Sequence, residues 1–449
     1  MAILRSQLST FRWRTRATLW LAALGAGLSV VMFAKLADWA LGLFYLLTAN
    51  RPWLVFLLTP SVGMATVWLT LRYVPGAQGS GIPQVIAATK LVARGAPVKT
   101  LVSLRIALGK VLLGAFALIG GFSAGREGPS VQVAASIVHA AHRFLPHWRA
   151  LRPQDLLIAG GAAGVAAAFN TPLAGIVFAI EELGRRLETR TSGVLVSTII
   201  LSGLVAIALL GNYNYFGSLR VGAVDRAIIL PILVGGILCG LLGGLFSRML
   251  LWPVQGNFPG LWQWRRRSPV LFAGACGLLV AAIGWVSGGQ SFGSGYAMTS
   301  QVVAGDATLP WFAPLARFLA TALSYYSGIP GGIFAPSLSI GAGLGSNLSL
   351  LLAQVPTTQL IALCMAGFLA AVTQSPITSA IIVMEMIDGH EMVISLMAVT
   401  VLAKAVSSRL SPELYQQLAL AWLPAPSTVP SLPPSGPQPT PGKAGRPEA

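Results

Sequence analysis

Polar positions along this chain are few and clustered, and the apolar runs between them are long. From Phe318 to Met384 there are 67 residues without a formal charge. One membrane span needs about 20 apolar residues, so this run predicts several spans joined by uncharged turns. The run from Ala17 to Ala34 continues into further apolar sequence, which predicts a retained first span rather than a cleaved signal. Glycine and proline interrupt the runs, as in "GSGIP" (79–83), "GREGP" (125–129) and "GGIFAP" (331–336). Each predicts a loop giving way to a helix, because glycine permits close backbone approach and proline suits a first helical turn. From residue 423 to 449 there are nine prolines and no periodicity, the pattern of a disordered tail.

Composition points the same way. Hydrophobic residues make up 55% and charged residues 10% of the 449 positions, against about 25% charged in soluble domains. The chain reads as a polytopic membrane protein. Its net charge is +17, but the positives gather in "LRSQLSTFRWRTR", "HRFLPHWRALRP", "GRRLETR" and "WQWRRRS". Short basic segments flanking apolar runs follow the positive-inside rule, so these are assigned to the cytoplasmic side and nucleic acid is not expected as a partner. The first of them also suits an amphipathic helix lying in the interface. Cys239, Cys276 and Cys364 sit within apolar segments and form neither a disulfide framework nor a metal pattern.

The chain also repeats itself. "GREGPSVQVAA" (125–135) aligns with "GIFAPSLSIGA" (332–342). "AAGVAAAFNTPLAGIVFAIEE" (162–182) aligns with "MAGFLAAVTQSPITSAIIVMEM" (365–386) with one inserted residue, and "GSGIP" is echoed by "GSGYA" (293–297). The offsets are 207, 204 and 214 residues, in the same order. The expected organisation is therefore a basic N-terminus (1–16), a first membrane repeat (17–212), a second (213–422) and the tail (423–449). Matched, glycine-broken hydrophobic segments in two halves are the mark of a transporter, with its site where the repeats meet. Each loop-to-helix junction points free N–H groups and a positive helix end at one spot, which suits an anion.

Against that repeat, two charged pairs stand out. Between Val111 and His142, Arg126 and Glu127 are the only Asp, Glu, Lys or Arg residues, and a charge in hydrocarbon costs at least ~2.5–3.5 kcal/mol. A buried ion pair that only fixes the fold is one reading. However, the second half carries Ile333 and Phe334 at the same places. Both halves build the junction and one adds a carboxylate, which can occupy an anion site when ionised and leave it when protonated. In the other pair Glu181 matches Glu385, a shared scaffold feature, whereas Glu182 matches Met386 and is peculiar to the first half. A solvated helix end is the plain alternative for Glu182.

These three motifs together resemble the signature sequences of the CLC family of chloride channels and chloride/proton antiporters, over about Trp53 to Tyr415. The resemblance implies an all-α polytopic fold of two inverted repeats, about eighteen mostly membrane-embedded helices, and a homodimer with one anion pathway per subunit. It implies chloride binding by Ser80, the amides of Ile333 and Phe334, and the hydroxyl of Tyr415. Glu127 resembles the family's gating glutamate and Glu182 its internal proton-transfer glutamate. Arg126 and Lys110 would contribute to pore electrostatics. Taken alone, a tyrosine such as Tyr415 is more often an interface-belt aromatic, and the plain alternative for Lys110 is a snorkelling lysine at a helix end. Serine at position 80 resembles chloride-preferring members rather than nitrate-preferring ones, and Arg126 argues against the fluoride branch. Gln84 departs from the glutamate that many members carry there.

The expected function is chloride/proton antiport in a prokaryotic inner membrane, with both termini cytoplasmic, no cofactor, and chloride, protons and lipid as partners. A passive chloride channel on the same fold is the alternative, and Glu182 separates the two, since channel members replace it with an apolar residue. An intramembrane enzyme is not expected. "HEMVI" (390–394) begins like a zinc-protease motif but has Ile394 where the second histidine belongs, and His139, His142 and His147 suit a basic loop better than a metal site.

Overall fold

Glycine and proline mark the helix boundaries much as expected. The computed structural model describes residues 2–145, 152–184, 192–211, 216, 225–305 and 309–424. The expectations for the basic residues 146–151 and 185–190, including His147, and for the tail from 425 on lie outside the described residues. The first half contains α1 (Ala2–Ala49), α2 (Val55–Tyr73), α3 (Ile82–Ala93), α4 (Leu104–Ile119), α5 (Glu127–Ala140), α6 (Pro153–Phe169), α7 (Pro172–Phe178) and α8 (Ser192–Leu210). The second contains α9 (Ile229–Gln255), α10 (Pro259–Arg267), α11 (Pro269–Val286), α12 (Tyr296–Ala304) and α13 (Ala313–Ser327). It continues with α14 (Phe334–Ser349), α15 (Thr357–Thr373), α16 (Pro376–Ile387), α17 (Val393–Ser407) and α18 (Leu414–Leu420). Helix α1 is continuous, so the basic N-terminal segment and the first span share one helix.

The repeat is visible in the packing. Helix α5 packs on α6 as α14 does on α15, α1 on α8 as α9 on α17, and α6 on α8 as α15 on α17. Helices α6 and α15 start 204 residues apart, at Pro153 and Thr357, and end 204 apart, at Phe169 and Thr373. Both stop on a left-handed residue, Asn170 (φ 58°) and Gln374 (φ 62°). The two helices therefore match without the one-residue insertion expected from the sequence alignment. Both are apolar all round and buried along most of their length, as central helices are.

Among the described residues, six helices are long and apolar enough to cross a membrane. Helices α3, α5, α12 and α16, at 9 to 14 residues, fall short of the ~20 needed. Helices α3, α5 and α16 begin at buried residues, Ile82, Glu127 and Pro376, inside the protein, where irregular backbone at membrane depth is tolerated. That places helix N-termini in the middle of the molecule, where the candidate site forms.

Candidate functional site

The two repeats meet through their matched junctions. Gly125 N–H donates to the Gly332 carbonyl at 2.8 Å, and Gly332 N–H donates back to Gly125 at 2.7 Å. This is an antiparallel bridge between equivalent residues. A reciprocal contact of one residue with its own counterpart is what a two-fold axis produces, and its antiparallel sense fits inverted halves. Glycine is required here, because a Cβ on Gly332 would come within 3.0 Å of Gly128 N and Pro129 Cδ. The third junction joins them: a Cβ on Gly128 would collide with the Ser80 hydroxyl and lie 3.0 Å from its carbonyl. Gly81, with φ 101°, caps α3 in a conformation that L side chains rarely adopt.

Three helix N-termini thus converge: α3 behind Ser80, α5 at Glu127, and α14 at Ile333 and Phe334. Each of these four residues is nearly fully buried. The Glu127 carboxylate folds back over Gly125, in the space that Ala335 and Pro336 of the first turn of α14 also approach. It therefore lies at the positive end of a second helix as well as its own. Tyr415, on α18, is fully buried and stacks on Phe334, with ring centroids 6.0 Å apart and planes at 9°. The Ser80 and Tyr415 hydroxyls face each other, yet neither completes an ordinary hydrogen bond among the described residues. Buried hydroxyls are rarely left so, and two such donors beside converging amides are chemically suited to an anion. The interface-belt reading of Tyr415 is excluded.

Glu182 occupies a different place, in a π-helical turn at Ala179–Gly184 that continues α7. Its side chain is buried and accepts a 2.5 Å bond from the Ser375 hydroxyl, so it is no solvated helix end. It lines a cavity of about 260 Å³ with Ser375, Gln374, Lys404, Glu413 and Glu181. Its carbonyl accepts from Gln416 Nε2 at 3.3 Å, which ties it to the residue after Tyr415. The Tyr415 hydroxyl lies within electrostatic reach of both Glu182 and Glu127.

The repeat separates scaffold from chemistry. Glu181 accepts from Thr378 N at 2.7 Å, Thr378 Oγ1 at 2.8 Å and Ile377 N at 3.3 Å, capping α16. Glu385 returns the contact, accepting from Ala174 N at 2.8 Å and Leu173 N at 3.2 Å, capping α7. Each half caps the other. Glu182 has no such counterpart. Thr171, the match of its partner Ser375, keeps a buried hydroxyl without a hydrogen bond among the described residues. Likewise Ser294, the echo of Ser80, spends its hydroxyl accepting from Tyr296 N at 3.3 Å.

Arg126 and Lys110 stand behind the site. Arg126 is engaged on the side away from the junction. Its Nη1 reaches Asp38 Oδ1 at 2.7 Å and the Ala34 carbonyl at 2.7 Å, both on α1. Lys110 is fully buried within α4, which excludes snorkelling; it donates to the carbonyls of Gly79 at 2.6 Å and Ala77 at 2.8 Å. Gln84 donates to Gln78 O of the same loop at 2.5 Å, a bond that an ionised glutamate cannot make.

Sequence reading missed Asp38, Ser375 and Arg265. Asp38 and Ser375 come from segments remote in sequence, and only the Ser375–Thr171 match hinted at either. Arg265 of α10 lines a cavity of about 220 Å³ that reaches Ser80, and a second of about 560 Å³ shares Gln78 and Arg265 with it. From sequence it was merely one of a basic cluster.

Residues 62–408 match the voltage gated chloride channel family model. The chain belongs to the CLC family. Among its CLC relatives, it is 32% identical over 416 residues to the H(+)/Cl(−) exchange transporter ClcA of Cronobacter sakazakii, covering 86% of this chain and 85% of that protein. Its fold is similar to that of a slow cyanobacterial Cl⁻/H⁺ antiporter, with TM-score 0.77, 23% identity and coverage of 91% and 98% of the two chains. It is also similar to a CLC-type fluoride/proton antiporter, with TM-score 0.74, 22% identity and coverage of 89% and 96%. These two likenesses speak to the CLC fold, not to the ion carried.

Proposed function

We infer that the protein is a chloride/proton antiporter. The observation that carries this reading is the pair of buried carboxylates in two different places. Glu127 lies at converging helix N-termini beside the Ser80 and Tyr415 hydroxyls, and Glu182 lies in a separate cavity. When ionised, Glu127 is a tethered anion that competes with chloride for the helix ends; when protonated, it releases them. Glu182 accepts a proton and passes it toward Glu127 past Tyr415. The Cronobacter relative, named as an exchanger, supports antiport over a passive channel.

Ser80, Ile333, Phe334 and Tyr415 then coordinate chloride, and Arg126 and Lys110 shape the potential around it. The basic clusters support a cytoplasmic placement for both termini, and the bacterial source of the Cronobacter relative supports a prokaryotic inner-membrane location. A homodimer is proposed on family membership, together with a site assembled within one chain. The relatives are transporters, and an enzymatic role has no support at "HEMVI": Ile394 fills the second histidine position and His390 lies 3.5 Å from Asp388 instead.

Chloride and proton fluxes measured together in proteoliposomes test the reading. A chloride gradient should drive protons uphill. Chloride flux with a reversal potential indifferent to pH would make the protein a channel.

A further inference from the structure

Two buried cations occupy matched places in the two repeats. Lys110 is 0% and Arg317 1% exposed, and neither forms an ion pair among the described residues. They stand 207 residues apart, the offset that matches Gly125 to Gly332. A buried cation in a membrane protein must find carbonyls or counter-charges, and both find carbonyls in the same way. Lys110 Nζ donates to Gly79 O at 2.6 Å, Ala77 O at 2.8 Å and Gln78 O at 3.4 Å. Arg317 donates to Gly293 O at 2.9 Å, Phe292 O at 3.3 Å and also Gln290 O. Each cation gathers the carbonyls of the loop that enters a Gly-Ser-Gly junction, at 79–81 and 293–295.

The loops are then handed across the repeats. Gly79 N–H donates to Ile329 O at 3.0 Å and Gly331 N–H to Gly79 O at 3.0 Å, in the segment leading to Ile333 and Phe334. In the other half Gly293 N–H donates to Gly121 O at 3.3 Å, in the segment leading to Glu127. Arg317 Nη1 also approaches Ser123 Oγ at 3.5 Å. Ser123 is itself held by Thr321 Oγ1 at 2.9 Å and by Ser324 Oγ, which accepts from its amide at 3.0 Å. So the cation of the first half supports the entrance to the second half's helix α14, and the cation of the second half supports the entrance to α5.

We infer that Lys110 is a positioning residue for the central anion donors Ser80, Ile333 and Phe334, and that Arg317 is a positioning residue for the gate segment bearing Glu127. In a trans peptide the carbonyl and the following N–H point opposite ways. Drawing the Gly79 carbonyl to Lys110 therefore turns the Ser80 amide away from the cation. Charge-assisted bonds are about twice as strong as neutral ones, enough to hold a glycine-rich loop still. The inference rests on the antiport reading, in which Glu127 is the gate.

The test uses full-length protein, with chloride affinity measured by calorimetry and chloride turnover in proteoliposomes, each with Glu127 present and in a Glu127→Gln background. Misplacement by ~1 Å can cost about 10²-fold, so Lys110→Met should weaken chloride binding by about tenfold or more in both backgrounds. Arg317→Met should lower turnover by about tenfold with Glu127 present and by less than about twofold in the Glu127→Gln background, leaving chloride affinity within about twofold, by the same positioning argument. Lys110→Arg and Arg317→Lys should largely recover function, because each cation does the other's work in its own repeat. Equal loss of turnover in both backgrounds for Arg317→Met, or unchanged chloride affinity in Lys110→Met, overturns the inference. Should the methionine variants not fold, Thr321→Val decides instead. It removes a partner of Ser123 without removing a charge and should show the same background-dependent loss; equal behaviour in both backgrounds sinks the idea. Retained proton coupling in Glu127→Gln alone would instead count against Glu127 as the gate, and a reversal potential indifferent to pH in the unsubstituted protein against the antiport reading.

Discussion

Adjacent glutamates at 181 and 182 have different duties, and the hydrogen bonds say why. Glu181 accepts from two backbone amides and a hydroxyl at the start of α16, whereas Glu182 accepts from Ser375 inside a cavity. Glu182→Gln should therefore let chloride move passively while chloride-driven proton uptake disappears. Glu181→Gln should cost stability, on the order of 1–3 kcal/mol for a cap whose amides lose a charged acceptor, without selectively removing proton movement. The reverse result would mean that the wrong member of the pair has been assigned. Glu127→Gln places a neutral amide where an anion competed for the helix ends. Chloride binding should persist or strengthen and proton coupling should vanish, read by calorimetry and by the pH-gradient dependence of the reversal potential.

At the scale of elements, the site is made by where helices stop. Helices α3, α5 and α14 all begin in the interior, and their first turns touch only because Gly128 and Gly332 lack side chains. Gly128→Ala would set a methyl group against the Ser80 hydroxyl. Overpacking of this kind typically costs about 1–3 kcal/mol, and here the strain falls on an anion ligand. Chloride affinity should drop more than thermal stability does, and an unchanged affinity would show that the junctions can part without harm. The reciprocal caps of α7 and α16 make a second element-level prediction. Glu385→Gln should destabilise the protein much as Glu181→Gln does, because the two carboxylates perform one task in each repeat, and a detergent-solution melting series compares them directly.

For the whole molecule, the Gly125–Gly332 bridge places the axis relating the halves at the proposed anion site. All the proposed ligands, Ser80, Ile333, Phe334 and Tyr415, come from one chain. Subunits of the proposed dimer should accordingly transport independently. A linked dimer with one subunit inactivated at Gly128 should keep about half the chloride flux, as independent sites in a symmetric oligomer require. Loss of all flux would show that the pathway is shared.

Much of this was legible in the sequence because its causes are local. Hydrophobic runs, breaker residues and a matched offset are properties of short segments. They gave the membrane class, the repeat, the junctions at Ser80, Glu127 and Ile333, and the scaffold role of Glu181 against Glu182. Other features depend on which distant segments meet. Arg126 meets Asp38, 88 residues away, and Glu182 meets Ser375, 193 residues away; neither spacing follows a helical or strand period. Arg317 borders the long uncharged run and belongs to no motif, so its 207-residue offset from Lys110 gains meaning through its bonds to the 290–293 carbonyls. Local chemistry determines where a chain breaks and which residues are unusual. Which of them share a site is decided by packing between helices, and that required the tertiary structure.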